Sequence, residues 1–275
     1  MRHAIGFFII IFLHSLLPYQ ALAKGSQSAL VPLPSIDDFS KGDDGWGFGL
    51  GLGVEYESAY EGSDEYGFEA DPAGGVQWRS GENVFFWAGE TLGWRGLRSE
   101  HWLFEVAVGF DEGREQGDSD EGHLNGLGDN DESTELILQV RRDLSAHWRY
   151  WLDGRLVATD EGSLALFGVG HRFGEQNDGS GHELSAALVW HDGDYANKEF
   201  GINQQQSVAS GLEPTNLSGG FRSVGFNYHY RMFMNEDWQI FAEALYEQYF
   251  GDIKDSPIAR NSYEAEVGIG FIYVF

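Results

Sequence analysis

The chain has 275 residues, with 44 acidic against 17 basic, a formal charge of −27 and no cysteine. So acidic a chain repels phosphate backbones, which excludes nucleic acid as a partner, and without cysteine there is no disulfide or thiol chemistry. Mean hydropathy is −0.34, yet aromatics reach 15% and glycine accounts for 38 residues, a composition that suits strands with lipid on one face and water on the other.

The N-terminus sets the compartment. Arg2 precedes the apolar run AIGFFIIIFLHSLL, which is too short for a spanning helix. Ala21 and Ala23 then form an A-x-A cleavage pattern before Lys24. Residues 1–23 therefore read as a signal peptide. Residues 24–44, polar with Pro32 and Pro34, read as a flexible periplasmic leader. Residues 45–275 read as an outer-membrane barrel.

The first strand starts in DDGWGFGLGLGVEY, residues 43–56. Gly45, Gly47, Gly49, Gly51 and Gly53 alternate with Trp46, Phe48, Leu50, Leu52 and Val54. A dinucleotide loop would need a third glycine where Val54 stands, and a P-loop would need a lysine. The period is 2, which is a strand with one large apolar face. Glycine weakens strands in water, but it suits an interior too crowded for side chains.

Further period-2 runs start near residues 65, 83, 100, 133, 146, 163, 182, 195, 221, 236 and 262. Phe104, Val106 and Val108 oppose Glu105 and Ala107; Leu136 and Leu138 oppose Ile137 and Gln139; Leu152 and Leu156 oppose Asp153 and Arg155. Around residue 223 the apolar face switches sides. The weakest run is YANKEFGIN, 195–203. The expected fold is an all-β, transmembrane antiparallel barrel of about twelve strands, with ten or fourteen as alternatives. An even count returns both termini to the periplasm. Four of these strands precede the polar loop 111–132, which places that loop with the termini. The similar turns DLSAHW and MNEDW then fall at opposite ends, which sits badly with their likeness.

A soluble sandwich also alternates, so the placement of aromatics decides. Trp46, Trp102, Trp148, Trp190 and Trp238 stand at strand ends on the apolar face, the position of an interfacial girdle. The other face carries Arg141, Arg149, Arg155, Glu105, Glu135, Glu243, Glu264 and Glu266, which a wet or ion-paired lumen accepts and a sandwich core does not. The last strand puts Val267, Ile269, Phe271, Tyr273 and Phe275 on one face and ends on an aromatic. It resembles the sorting signal by which the barrel assembly machinery recognises its substrates.

No chemistry-bearing constellation emerges. His182 and Ser185 share a strand but point to opposite faces. The acidic segment 118–133 lacks the order of a calcium loop. His171, His182 and His191 have no metal-ligand spacing and read as rim or lumen residues. Asp64, Asp129 and Asp192 read as turn formers. No catalytic, cofactor or metal residues are assigned, and the chain reads as non-enzymatic.

Several stretches in order resemble the MipA/OmpV family of outer-membrane proteins, also called MltA-interacting proteins: YEGSDEY at 60–66, GLGDND at 126–131, DGDYANKEFGIN at 192–203, RSVGFNYHYR at 222–231 and DSPIAR at 255–260. The resemblance runs from about Gly45 to Phe275. It implies a barrel with outer-membrane lipid around it and no catalytic residues. It further implies a scaffold in peptidoglycan maintenance with periplasmic murein-synthesis and lytic enzymes as partners; the alternatives are a narrow pore for small solutes or an adhesion protein. Deleting Phe275, or giving it a charge, is expected to block assembly and leave export intact. Normal heat-modifiable mobility of such a variant would remove the assembly role.

Overall fold

The computed structural model describes residues 44–99, 101–145, 149–174 and 180–275. Ala21 and Ala23, the leader up to residue 43 and Trp148 lie outside them. Twelve antiparallel strands form a closed barrel: β1 (Gly45–Ser58), β2 (Tyr66–Ser80), β3 (Asn83–Ala88), β4 (Thr91–Ser99), β5 (Trp102–Asp111), β6 (Ser133–Asp143), β7 (Tyr150–Thr159), β8 (Gly162–Phe173), β9 (Gly181–His191), β10 (Gly220–Phe233), β11 (Trp238–Tyr249) and β12 (Tyr263–Val274). Each strand pairs with its chain neighbours, and β12 closes on β1.

The expected number of strands is correct, but two errors cancel in it. The stretch read as one strand from residue 83 is the hairpin β3–β4, turned at Gly89 with φ +53°. The weak run at 195 is a helix, α1 (Gly193–Phe200). Asp192 caps it by accepting from the Tyr195 amide, and its buried residues Tyr195, Ala196 and Phe200 follow a helical stripe, not alternation.

The missed strand moves the loop 111–132. Five strands now precede it, so the connection from β5 to β6 leaves the barrel at the end opposite the termini, not with them. It joins the connections 59–65, 192–219 and 250–262 there. Its hydrogen bonds agree: the Glu121 amide donates to Glu65, and the His123 ring meets the Pro257 carbonyl. The turns between β6 and β7 and between β10 and β11 share the terminal end, as their likeness in sequence suggests.

Alternation sorts the faces. Leu138, Leu152, Phe226 and Ile269 point outward and are exposed, whereas Gln139, Glu105, Glu247 and Glu264 are buried inside. Arg149 lies exposed in the turn before β7, not in the lumen as expected. The face switch near residue 223 is a bulge: the β9–β10 register shifts between Phe221 and Ser223, and Arg222 and Ser223 are both buried.

The glycines of β1 face inward, as the period required. At Gly51 the reason is close packing of the wall itself: a Cβ there would overlap the backbone of Phe271 and Ile272. In the neighbouring strand a Cβ on Gly74 would overlap the backbone of Gly49 and Leu50. β12 and β2 approach each other across β1, and at these two positions only glycine fits.

Arginine in place of Leu138 or Leu152 is expected to cost about 2–4 kcal/mol of folding free energy in bilayers, the range for arginine on a lipid face at mid-depth. Arginine at Gln139 is expected to cost much less, because that position lies between the carboxylates of Glu105 and Asp153. Equal folding yields for all three variants would contradict these faces.

Candidate functional site: the capped lumen

The connections at the loop end fold together into a cap with its own apolar core. Tyr60, Leu124, Leu127, Ala196, Phe200, Ile202, Leu217, Tyr249, Ile253 and Ile258 are buried against one another. Four separate connections and the last residue of β11 contribute to it. A second short helix, α2 (Gln204–Ser210), is capped by Asn203, and Gly211 ends it with φ +78°. Gln206 Nε2 ties this helix to the Leu127 carbonyl at 2.7 Å, and Ser256 Oγ donates to the Phe200 carbonyl at 2.7 Å. The cap is thus laced by hydrogen bonds between loops distant in sequence.

Helix α1 fastens the cap to the wall. Asp192 accepts from Tyr195 N at 2.9 Å and from Ser163 Oγ at 2.6 Å. Burial alone would raise the Asp192 pKa, but these hydrogen bonds outweigh it and hold the carboxyl below its ordinary value. The stabilisation is therefore present above the ordinary aspartate range and is lost as pH falls through the lowered pKa. Lys198 reaches Glu161 at 3.2 Å and Asp111 at 3.7 Å. Arg114 Nη1 donates to the Glu199 carbonyl at 2.6 Å. Burial raises the Glu199 pKa, with Asp111 adding to it and the cations of Arg114 and Lys198 opposing. Glu112, at the root of the β5–β6 connection, is pushed up to about 7 by burial and by Glu90.

Below the cap, the Tyr195 side chain enters the barrel. It joins inward-facing Val84, Phe86, Ile137, Val157, Leu164, Leu166, Val189 and Leu245 in a buried apolar layer. A charged layer shares the lumen. Arg95 pairs with Glu105, Arg141 with Asp153 at 3.2 Å, and Arg172 with Glu183 at 3.2 Å. Arg141 also lies 5.0 Å over the Trp151 ring. A small cavity of about 40 Å³ is bounded by Arg141, Trp151, Asp153, Arg155, Glu183 and Asn227, among others.

Among the described residues one carboxylate trio, Glu61, Glu247 and Glu264, brings its oxygens within 4.8 Å of one another. The residues do not suit a metal. Arg222 bonds both Glu61 and Glu247, while Ser58 and Tyr249 donate to Glu264. A guanidinium already supplies the countercharge.

The residues singled out in the sequence fall mainly outside this centre. Trp46 and Trp238 point outward at the terminal end, and Trp102 stands there half-buried, with Arg142 4.8 Å over its ring. Trp190 is half-buried at the loop end of β9. Phe271 and Phe275 are exposed on the outer face, and Tyr273 packs edge-on against Trp238 and Phe275 at 5.0 and 4.9 Å. His171 and His182 lie on the outer face in a stack running Tyr150–His171–Phe173–His182–Tyr230, whereas His191 is buried. Asp64 does more than form a turn: it pairs with Arg260 at 3.1 Å. Asp129 accepts from the Gln116 amide at 2.8 Å. The cap residues Phe200, Leu124 and Ile258 were not singled out. Their only signal was isolated apolar residues in long polar connections.

No curated protein matches the chain. Several solved structures resemble it, three of them as follows. OprB of Pseudomonas putida has 7% identity and a TM-score of 0.38, with 75% of this chain and 59% of that one covered. The toluene transporter TodX of Pseudomonas putida has 9% identity and a TM-score of 0.38, covering 84% and 89%. An outer membrane channel from Pseudomonas putida F1 has 9% identity and a TM-score of 0.38, covering 89% and 100%. The chain thus spans 59% of the length of OprB. The model of the family described as MltA-interacting protein MipA matches residues 50–275. That match covers the closed twelve-stranded barrel almost from end to end, and the chain belongs to the MipA family of outer-membrane barrels.

Proposed function

We propose that this protein is a closed, non-enzymatic barrel of the outer membrane that serves as an envelope scaffold. The observation that carries this reading is the double filling of its axis: an apolar cap over the loop end and an apolar layer around Tyr195 beneath it. A filled axis does not suit free diffusion of solutes. It does suit a rigid anchor.

Long loops mark the outer side of such barrels and short turns the periplasmic side. The cap then faces outward, and the periplasmic rim includes turns 81–82 and 234–237 and the described ends of β6 and β7. The family description, MltA-interacting protein, suggests a murein lytic enzyme as the partner of that rim. The loop 111–132 takes no part in it. In this frame Trp46, Trp102 and Trp238 lie at the periplasmic interface and Trp190 at the outer one.

A narrow pore is the second reading, favoured by the charged cavity beside Arg141 and Arg155. Planar-bilayer recording separates the two. The native protein should show no steady conductance. Phe200→Ala removes a fully buried side chain from the cap, and truncations of this kind cost about 3–5 kcal/mol. Asp192→Ala removes a helix cap worth about 1 kcal/mol. Flickering conductance is expected with Phe200→Ala and less with Asp192→Ala. Steady conductance of the native protein would replace the scaffold by the pore. Vesicle-bound protein should also retain a lytic transglycosylase of the MltA type through its turn side, and no retention would remove the partner.

The side assignment has its own test. Ser119 is buried and bonded to Glu65, but its neighbour Asp120 is exposed. An impermeant maleimide should label Asp120→Cys on intact cells, in a chain with no other cysteine. Labelling only after the outer membrane is breached would invert the barrel.

A further inference from the structure

The barrel wall is incomplete at one place. β2 pairs with β1 from Tyr66 to Arg79, but with β3 only from Gly75 to Ser80. The β3–β4 hairpin turns back at Gly89 and Glu90, and β5 above Val108 pairs only with β6. Among the described residues, the edge of β2 from Tyr66 to Gly74 therefore has no strand beside it. The gap lies within the apolar band. The β1 residues at its level, Leu50, Leu52, Val54 and Tyr56, all point outward and are exposed. One jamb carries Phe68, 78% exposed, and the other Phe110, 57% exposed; Leu92 stands exposed at the sill. The β5–β6 connection roofs the gap where Ser119 and the Glu121 amide bond Glu65.

Two physical constraints bear on this window. Hydrocarbon cannot satisfy a free strand edge, so irregular or unpaired backbone at membrane depth persists only where water or a polar group reaches it. Nor does the edge suit an added strand. Pro72 removes a donor, and Gly74 at φ +133° breaks the extended run. A small polar head that enters from the side meets both constraints. The acids at the opening define its charge. Glu69 points inward from β2 beside Glu55, Glu90 forms the sill turn, and Glu112 follows β5 at the far jamb.

We propose that this window between β2 and β5 binds a cationic amphiphile, its head against Glu69, Glu90 and Glu112 and its tail in the bilayer beside Phe68 and Phe110. With the axis filled by the cap and the Tyr195 layer, the side window is the way in for such a molecule from the membrane. The site does not rest on the scaffold role; a barrel without conductance can hold it, and so can a pore.

Gly67 provides a reporter. It lies on the inner face of the β2 jamb, and a Cβ there meets nothing within 4 Å. Gly67→Cys is labelled with an environment-sensitive fluorophore in lipid vesicles and titrated with dodecyltrimethylammonium below solubilising concentrations. A saturable response is expected. The same label at Leu188→Cys, lipid-facing on β9, should show only linear partitioning. Combined Glu69→Gln, Glu90→Gln and Glu112→Gln substitution should weaken binding about tenfold or more, the scale of losing charge-assisted contacts. Dodecyl sulfate should give no saturable response. If the combined variant lacks heat-modifiable mobility, Glu112→Gln alone is used, with a smaller but measurable weakening expected. Identical responses at both labels, equal binding of the sulfate, or unchanged affinity in the neutralised variants would overturn the proposal.

Discussion

Inside a bilayer no water is available to a peptide group, and every N–H and C=O must find its partner within the protein. That constraint explains the closed ladder in which each strand bonds both neighbours and β12 returns to β1. It also explains why the wall tolerates a corner dense with glycine. The ladder must close, and at Gly51 of β1 it closes so tightly that a side chain has no room. Among the described residues the edge of β2 from Tyr66 to Gly74 departs from full pairing, and for the same reason it is there that we propose a polar head group enters.

Closure creates an interior, and the interior is divided. Cations and carboxylates face each other in pairs such as Arg95–Glu105 and Arg141–Asp153, so charge imported into the lumen is compensated locally. Tyr195 and the inward leucines and valines pack into a buried apolar cluster in the same lumen, with Val84 opposite Arg95 on the next strand. The loops then build a second apolar core over the mouth. The proposed scaffold role rests on these two apolar clusters more than on any single residue.

Much of the fold was legible because a strand with lipid on one side and a lumen on the other writes its two faces into alternate residues. Leu138 against Gln139 and Leu152 against Asp153 are sorted by period alone. The bulge at Arg222 and Ser223 was visible as a change of face. The β3–β4 hairpin was hidden, because its two-residue turn at Gly89 and Glu90 interrupts the run too briefly to be noticed. α1 was hidden as well: eight residues between Asp192 and Gly201 carry too short a stripe to outweigh the expectation of another strand. These two errors cancelled in the count but not in the topology, and they put the loop 111–132 at the wrong end.

By itself the sequence determined the class of structure and the facing of most strand residues, because alternation is a local property that each segment carries independently of its neighbours. Charge and the absence of cysteine set the chemistry that was excluded. Only the tertiary structure decided that an apolar cap gathers at the loop end, that Arg222 pairs with both Glu61 and Glu247, and that β2 outruns β3. Each of these depends on residues far apart in the chain meeting at one place. Phe200 and Ile258 look like stray apolar residues until the loops that carry them fold over the same mouth, and the length of an edge has no meaning until its neighbour's length is known.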